Sequence, residues 1–264
     1  MARTTLKLPT VANVSAGSTA TLKIPVRPTY NMIKFAYSGT AITRAMFKNI
    51  RLNVNSKPML EYKNADRLQF INSYYNRADN AGFFTLHFDR KELHNLTERR
   101  ITGLGTMDMG TLDITMEIDG AAPGDLKLEA HAIVSEPMPM GAIVKVKTFP
   151  YDSSTSGAKE ISDIPKVAPI MAVHFFKADV SRVEVETDRY KWTEADKTLL
   201  EDIQKHYERV PQSAVATHVD YLLEGQLAQA LVAAGSQDFR LRPTIDTSGS
   251  MDIVVEYLDG FSGI

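Results

Sequence analysis

The sequence predicts an all-β protein made of two copies of one sandwich-like domain, and three observations predict it. Apolar and polar residues alternate over many short runs; Gly, Pro, Asn, Asp and Ser fill the gaps between them; and landmarks of the first half recur in order in the second. In Leu112, Ile114, Met116 and Ile118 every second residue is apolar, which lines one face of a half-buried strand and leaves Asp113 and Glu117 wet. Near the chain end Met251, Ile253, Val255 and Tyr257 do the same, with Asp252 and Glu256 expected in solvent. Both stretches read Asp-Ile-x-x-Glu and run on to a glycine, with Asp113 and Asp252 separated by 139 residues in a chain of 264.

Taken in order, strands are predicted at Ala20–Val26, Met32–Tyr37, Ile50–Val54, Phe83–Phe88, Leu112–Gly120 and Leu126–Val134. The second half has Ile143–Val146, Ile170–Phe176, Val183–Glu186, Val215–Leu223, Phe239–Leu241 and Met251–Gly260. Ile24-Pro25 is matched by Ile164-Pro165 and Pro28 by Pro169, each pair leading into an apolar strand. A hairpin-like pair then ends in an aromatic, at Tyr62–Asp66 and at Trp192–Asp196, and leads into an amphipathic helix, predicted over Asn64–Asn76 and Thr193–Tyr207. Leu68, Ile71 and Tyr75 share one face of the first helix; Leu199, Leu200, Ile203 and Tyr207 share one face of the second. Thr193 and Asp196 stand as an Asp variant of a capping box, and Pro211 breaks the second helix. Trp192 is expected to anchor that helix onto a sheet.

A strand, a short apolar helical stretch (Leu93 and Leu96, then Leu227 and Leu231) and the Asp-Ile-x-x-Glu strand complete each half. Five landmarks thus recur with offsets of 130 to 141. Two unrelated β-domains with common turn chemistry would explain one matching tetrapeptide, but five in register favour duplication. The pattern is interrupted at Ser135–Gly141, which divides the chain into residues 1–136 and 137–264.

Composition narrows the function. A net charge of −2 gives no electrostatic reason to expect direct nucleic-acid binding, since phosphate attraction needs a clustered positive surface. The absence of cysteine removes disulfides, thiolate catalysis and Cys-ligated zinc. The first residues lack an apolar stretch of the kind a cleaved secretion signal needs, and no apolar run approaches the ~20 residues that span a bilayer. The chain is expected to be soluble when made.

No Gly-x-Ser-x-Gly elbow is present, and the glycines of Gly103–Gly110 lead into a strand, not into the helix N-terminus that a phosphate cradle needs. His87, His131, His174 and His218 fall in strand-like runs, and no histidine pair has the helical spacing of a metal site. Carboxylates gather at Asp113, Glu117, Asp119 and Asp125 without the alternating ligands of a calcium loop. That group is a candidate for a weak interfacial calcium site, with a solvated acidic face as the alternative. No catalytic or cofactor-binding residue is assigned, so the residues argue against an enzyme.

Longer segments carry a resemblance. "PTYNMIKFAYSG", "GLGTMDMGTLDITMEID", "AAPGDLKLEAHA" and "MDIVVEYLDGFS" resemble, in the same order, the major capsid proteins of tailless, internal-membrane marine phages of the corticovirus type. The resemblance implies a double jelly roll: two tandem eight-stranded sandwiches, each with one amphipathic helix and short helical turns. It further implies a homotrimer of hexagonal outline, tiling an icosahedral shell around a lipid membrane and DNA. Neighbouring trimers, vertex proteins and membrane-associated virion proteins are the implied partners, with the membrane nearby but not entered. The implied locations are the virion capsid and, during assembly, the host cytoplasm. The rival reading is a soluble tandem β-sandwich module binding glycans, since jelly rolls also host lectins. A cupin-like metalloenzyme would need a His-x-His plus a carboxylate, which the sequence lacks.

Overall fold

The computed structural model describes residues 3–262. The first half runs β1 (Thr4–Lys7), β2 (Thr19–Lys23), β3 (Thr29–Ser38), β4 (Phe47–Val54), β5 (Lys57–Asn64), α1 (Ala65–Tyr74), β6 (Phe83–His87), α2 (Leu96–Ile101), β7 (Leu104–Gly105), β8 (Leu112–Ile118) and β9 (Lys127–Ser135). The second runs β10 (Ile143–Ser153), β11 (Gly157–Ala158), β12 (Ile170–Phe176), β13 (Val180–Thr187), β14 (Tyr190–Asp196), α3 (Lys197–His206), β15 (Thr217–Asp220), β16 (Phe239–Ile245) and β17 (Gly249–Asp259). A single 3-10 turn at Leu227–Gln229 takes the place of α2.

The sheet orders repeat. The first half pairs β1-β9-β3-β6 and β2-β8-β4-β5; the second pairs β10-β17-β12-β15 and β11-β16-β13-β14. Among the described residues, β7 is an extra two-residue patch on β3 without a counterpart. One parallel bridge, Val146↔Leu60, joins β10 to β5 and merges a sheet of each half into one of eight strands.

Local irregularities recur with the topology. The pairing register shifts between Tyr30 and Met32 in β3 and between Ile170 and Ala172 in β12. It shifts again after Leu52 opposite Leu60, and after Val185 opposite Thr193. The β4–β5 hairpin turns on Asn55 and Ser56 at φ 47° and 66°, and the β13–β14 hairpin on Asp188 and Arg189 at φ 44° and 72°. Positive φ at both central residues matches the right-handed twist of the flanking strands, which is why two-residue hairpins favour it. Each helix exits through a left-handed residue, Asn76 at φ 53° and Glu208 at φ 60°. Duplication therefore holds down to single residues: Met32 corresponds to Ala172, Lys34 to His174, Leu60 to Thr193 and Tyr75 to Tyr207.

One predicted equivalence fails. Leu112–Ile118 is β8, between β4 and β2, whereas Met251–Asp259 belongs to β17, between β12 and β10. The counterpart of β8 is β16, and that of β17 is β9. The shared Asp-Ile-x-x-Glu therefore marks two strands at different places in the sandwich, β8 with one face wet and β17 buried on both faces from Ile253 to Tyr257, and not one strand repeated. The helices do hold matching positions, each directly after the second strand of its hairpin.

Alternation sets the core as expected: Ile114, Met116, Ile253 and Val255 are buried. Each such aliphatic side chain contributes about 1.5–3 kcal/mol on leaving water. The apolar cluster of the first half extends into the second through Met171, Phe176, Leu222 and Val254, so the two sandwiches share packed surface. A second cluster fills the interior of the second sandwich. At the boundary, a Cβ on Gly105 would stand 2.3 Å from the Pro139 carbonyl oxygen, so only glycine lets the interdomain segment lie against β7.

Three local expectations are corrected. The second helix starts at Lys197, because Thr193–Asp196 remain in β14. Asp196 makes no side-chain cap; its carboxylate accepts from Arg182 at 3.1 Å instead. Trp192 does not anchor α3 in a core: it is 48% exposed, packs edge-on against Tyr190 and donates its indole N–H to Thr187 Oγ1 at 2.7 Å.

Candidate assembly surfaces

Where the two sandwiches meet, the outward faces of β12 and β17 are covered by α1 and by the segment after β6. Glu256 was expected in solvent, yet it is 1% exposed. It sits on the side of β17 that the first half covers, so alternation inside the second sandwich does not describe it. Its carboxylate accepts from Arg90 Nη2 at 2.6 Å and from the Tyr75 hydroxyl at 2.9 Å. Arg90, 2% exposed, also reaches Glu92 at 2.7 Å and lies over the Tyr75 ring at 4.5 Å. Burial would raise the Glu256 carboxyl, but Arg90 and His174 outweigh it and hold the group well below the usual carboxylate range.

Beside it, His174 on β12 and His218 on β15 face each other with their Nδ1 atoms 2.8 Å apart. Tyr74 stacks on His218 at 4.2 Å and meets His174 edge-on. The Gln212 N–H points at His218 Nε2, 3.4 Å away, so the His218 proton sits on Nδ1 and is donated to His174. His174 then carries its proton on Nε2, which lies 3.8 Å from Glu256. Burial first, and then His174 and Lys197, hold His218 well below the ordinary histidine value. Asp220 accepts from Arg209 at 2.8 Å and from the Tyr74 hydroxyl at 3.3 Å. At the other end of α1, Arg67 and Lys63 both reach Asp252 at 2.9 Å, and Arg67 lies over Phe176 at 3.7 Å.

This seam has the chemistry of a weld. Cations of the first half, Arg90 and Arg67, meet carboxylates of the second, Glu256 and Asp252, its aromatics are stacked, and removing Arg90 strands a buried charge. Sequence reasoning missed it, although a signal was present. Ile170–Val173 and Ile253–Val255 are unbroken apolar runs, which mark strands buried on both faces.

The predicted acidic group does not converge. Asp113 accepts from Asn53 at 2.8 Å, Glu117 from Asn49 at 2.8 Å, and Asp125 from the N–H and hydroxyl of Thr40 at 2.9 and 2.8 Å. Asp119 is paired with Lys48 at 2.5 Å, which with the Ala121 N–H holds its carboxyl below the usual range. Among the described residues, no three His, Asp or Glu side chains come together as metal ligands. His87 and His131 lie apart on β6 and β9; burial, then Arg77 and other cations, holds His87 well below its ordinary value.

The outer surface is less uniform. In α1 the apolar residues Leu68, Ile71, Tyr74 and Tyr75 are buried, whereas in α3 Leu199 is 53% exposed and Tyr207 38%. Leu199, Ile203, Tyr207 and Trp192 border an open groove of about 460 Å³ between α3 and the edge of β14.

The comparisons agree with this architecture. The viral coat protein P2 N-terminal domain matches residues 5–135, and the P2 C-terminal domain matches residues 143–261. The major capsid protein P2 of Pseudoalteromonas phage PM2 is 31% identical over 269 residues, covering 98% of both chains. The crystal structure of that protein superposes with a TM-score of 0.94 at 30% identity, over 99% of this chain and 98% of the other. The STIV MCP (TM-score 0.73, 11% identity, 100% of each chain) and the PBCV-1 virus capsid (0.64, 8%, 99% and 95%) share the fold. The relation selects the double jelly roll of a structural protein over an enzyme or a free glycan-binding module. This chain belongs to the P2 viral coat protein family and is a major capsid protein of the phage PM2 type.

Proposed function

We infer that three copies of this chain form a tile of hexagonal outline, and that such tiles pack into an icosahedral shell around an internal lipid membrane and a DNA genome. The duplication carries this reading. Two sandwiches of one topology stand side by side on a buried, rigid seam, so three chains in a ring offer six near-equivalent walls while using only threefold symmetry. Neighbouring tiles, vertex proteins and membrane-associated virion proteins are the partners in this reading, and the host cytoplasm is where the tiles assemble. The tile approaches the membrane without entering it; among the described residues no helix is long and apolar enough to cross one. A net charge of −2 supports packing between tiles without strong mutual repulsion and gives no basis for direct DNA contact.

The experiment is assembly in the presence of lipid. Purified protein mixed with vesicles across a salt series should give closed shells under electron microscopy, with salt altering association between tiles and leaving each tile whole. Protein that never forms higher assemblies under any condition contradicts the reading.

A further inference from the structure

Within one chain, the first half presents two features to the second. The edge strand β5 lies beside β10 through Leu60↔Val146, and α1 lies on the outer face of β12 and β17. The second half carries counterparts of both, and both are open. Strand β14 is the free edge of its sheet, and α3 shows its apolar stripe to solvent. The acceptor surface also has an open counterpart. Strand β1 is the free edge of the first half, exposed at every residue, and the outer face of β3 and β9 is only half buried.

From this duplication we propose that α3 and β14 dock onto the first half of a second copy of the chain, on the outer face of its β1, β9 and β3. The proposal rests on the trimeric reading and assigns its contact. Thr193 holds the place of Leu60, and Thr5, paired with Ile133, holds that of Val146, paired with Glu256. Thr193 of one copy therefore lies beside Thr5 of the next, and the two open edges close each other, which removes two aggregation-prone strand edges at once. Tyr207 takes the role of Tyr75. Where Tyr75 meets Glu256, Tyr207 meets Ile133 with its cross-strand partner Met32.

The chemistry of the two seams then differs in a consistent way. The seam within the chain is ionic, built on Arg67, Arg90, Asp252 and Glu256. At the corresponding places the seam between copies has Leu199 for Arg67 and Ile133 for Glu256. An exposed apolar helix stripe thus meets a small apolar centre, Ile133 and Met32, rimmed by the charged and polar side chains of Lys7, Lys34, Glu129 and His131, which is the apolar-core, polar-rim pattern of a protein–protein contact. The contact is head-to-tail, so it propagates from half to half and closes as a ring.

The chain lacks cysteine, so engineered thiols report without background. Thr5→Cys and Thr193→Cys are introduced together and singly, oxidised with copper–phenanthroline and run on non-reducing gels, with light scattering in parallel. Adjacent strand positions fall within the Cα separation a disulfide spans. The double variant should link into dimers and closed trimers, and the single variants should not. A trimer by scattering with no linkage above the single variants overturns this contact and leaves the trimer standing. A monomer by scattering overturns both. As a second measurement, Ile203→Asp and Tyr207→Asp alter exposed residues, so the chain should fold with an unchanged far-ultraviolet spectrum. Each should raise the trimer dissociation constant at least about tenfold, and an unchanged constant contradicts the assignment.

Discussion

Replacing Arg90 with methionine removes the cation that holds the seam. The guanidinium lies 2.6 Å from Glu256 and 2.7 Å from Glu92, and all three groups are nearly or wholly out of water. Glu92 keeps Arg77 at 3.5 Å, but Glu256 keeps only the Tyr75 hydroxyl at 2.9 Å, with His174 Nε2 3.8 Å away. A buried charge left without its partner costs about 3–5 kcal/mol. At about 2–4 °C per kcal/mol for a chain somewhat smaller than this one, the melting temperature should fall by roughly 6–20 °C. Adding Glu256→Met to Arg90→Met should recover most of the loss, since an apolar pair of similar volume replaces a buried ion pair at little cost. The residual deficit should be about 1 kcal/mol, from the hydroxyl of Tyr75 left without its acceptor. Differential scanning calorimetry on the three proteins reads this directly. A loss under about 2 °C for Arg90→Met, or a double variant no better than the single, would refute the account of the seam.

Acidification should weaken the fold before carboxylates titrate. His218 and His87 are held below their unfolded value of about 6.5, so the unfolded chain binds more protons below that pH and their contribution, complete above it, is lost as pH falls. At about 1.4 kcal/mol per unit for each group, denaturant titrations at pH 7 and pH 5 should differ by up to about 4 kcal/mol; His218→Gln should halve the slope, and an equal slope counts against a role for His218. Ile253→Ala, in the second core, should cost about 2–5 kcal/mol, whereas Ile203→Ala on the face of α3 left open within the chain, compared in a Tyr207→Asp background that keeps the chains apart, should change stability by less than about 0.5 kcal/mol. Equal losses in urea unfolding would show the α3 stripe to be covered within the chain. Gly105→Ala should lower the melting temperature by several degrees, because its Cβ meets backbone at 2.3 Å; an unchanged value would show that the 138–139 segment is free to move.

Much of this architecture was legible in the residues. Period-2 runs located the long strands, and the prolines, the paired aromatics and the helix exits at Asn76-Arg77 and Glu208-Arg209 located the repeat. What misled was a motif short enough to arise from strand physics. Asp-Ile-x-x-Glu marks β8 and β17 alike, and only pairing shows that they hold different places. The seam was not legible for a related reason. Alternation assigns a residue to one face of its own sheet, and it cannot say whether a second domain covers the other. Glu256 looked solvated for that reason, although the apolar run Ile253–Val255 just before it hinted otherwise. The converse error occurred at α3, whose stripe Leu199, Ile203 and Tyr207 has the spacing of a core helix but stays open within the chain. Trp192, at the same open edge, was misplaced with it.

The central claim is that the second half of the chain is left open because another copy completes it. The most direct measurement is the molar mass of the purified protein by light scattering at micromolar concentration, in low and in moderate salt. The account predicts three chains in both, 3 × 29.3 = 87.9 kDa, since the strand edges and the centre of the contact at Ile203, Tyr207, Ile133 and Met32 do not depend on charge. A single species of 29.3 kDa in low salt would contradict it.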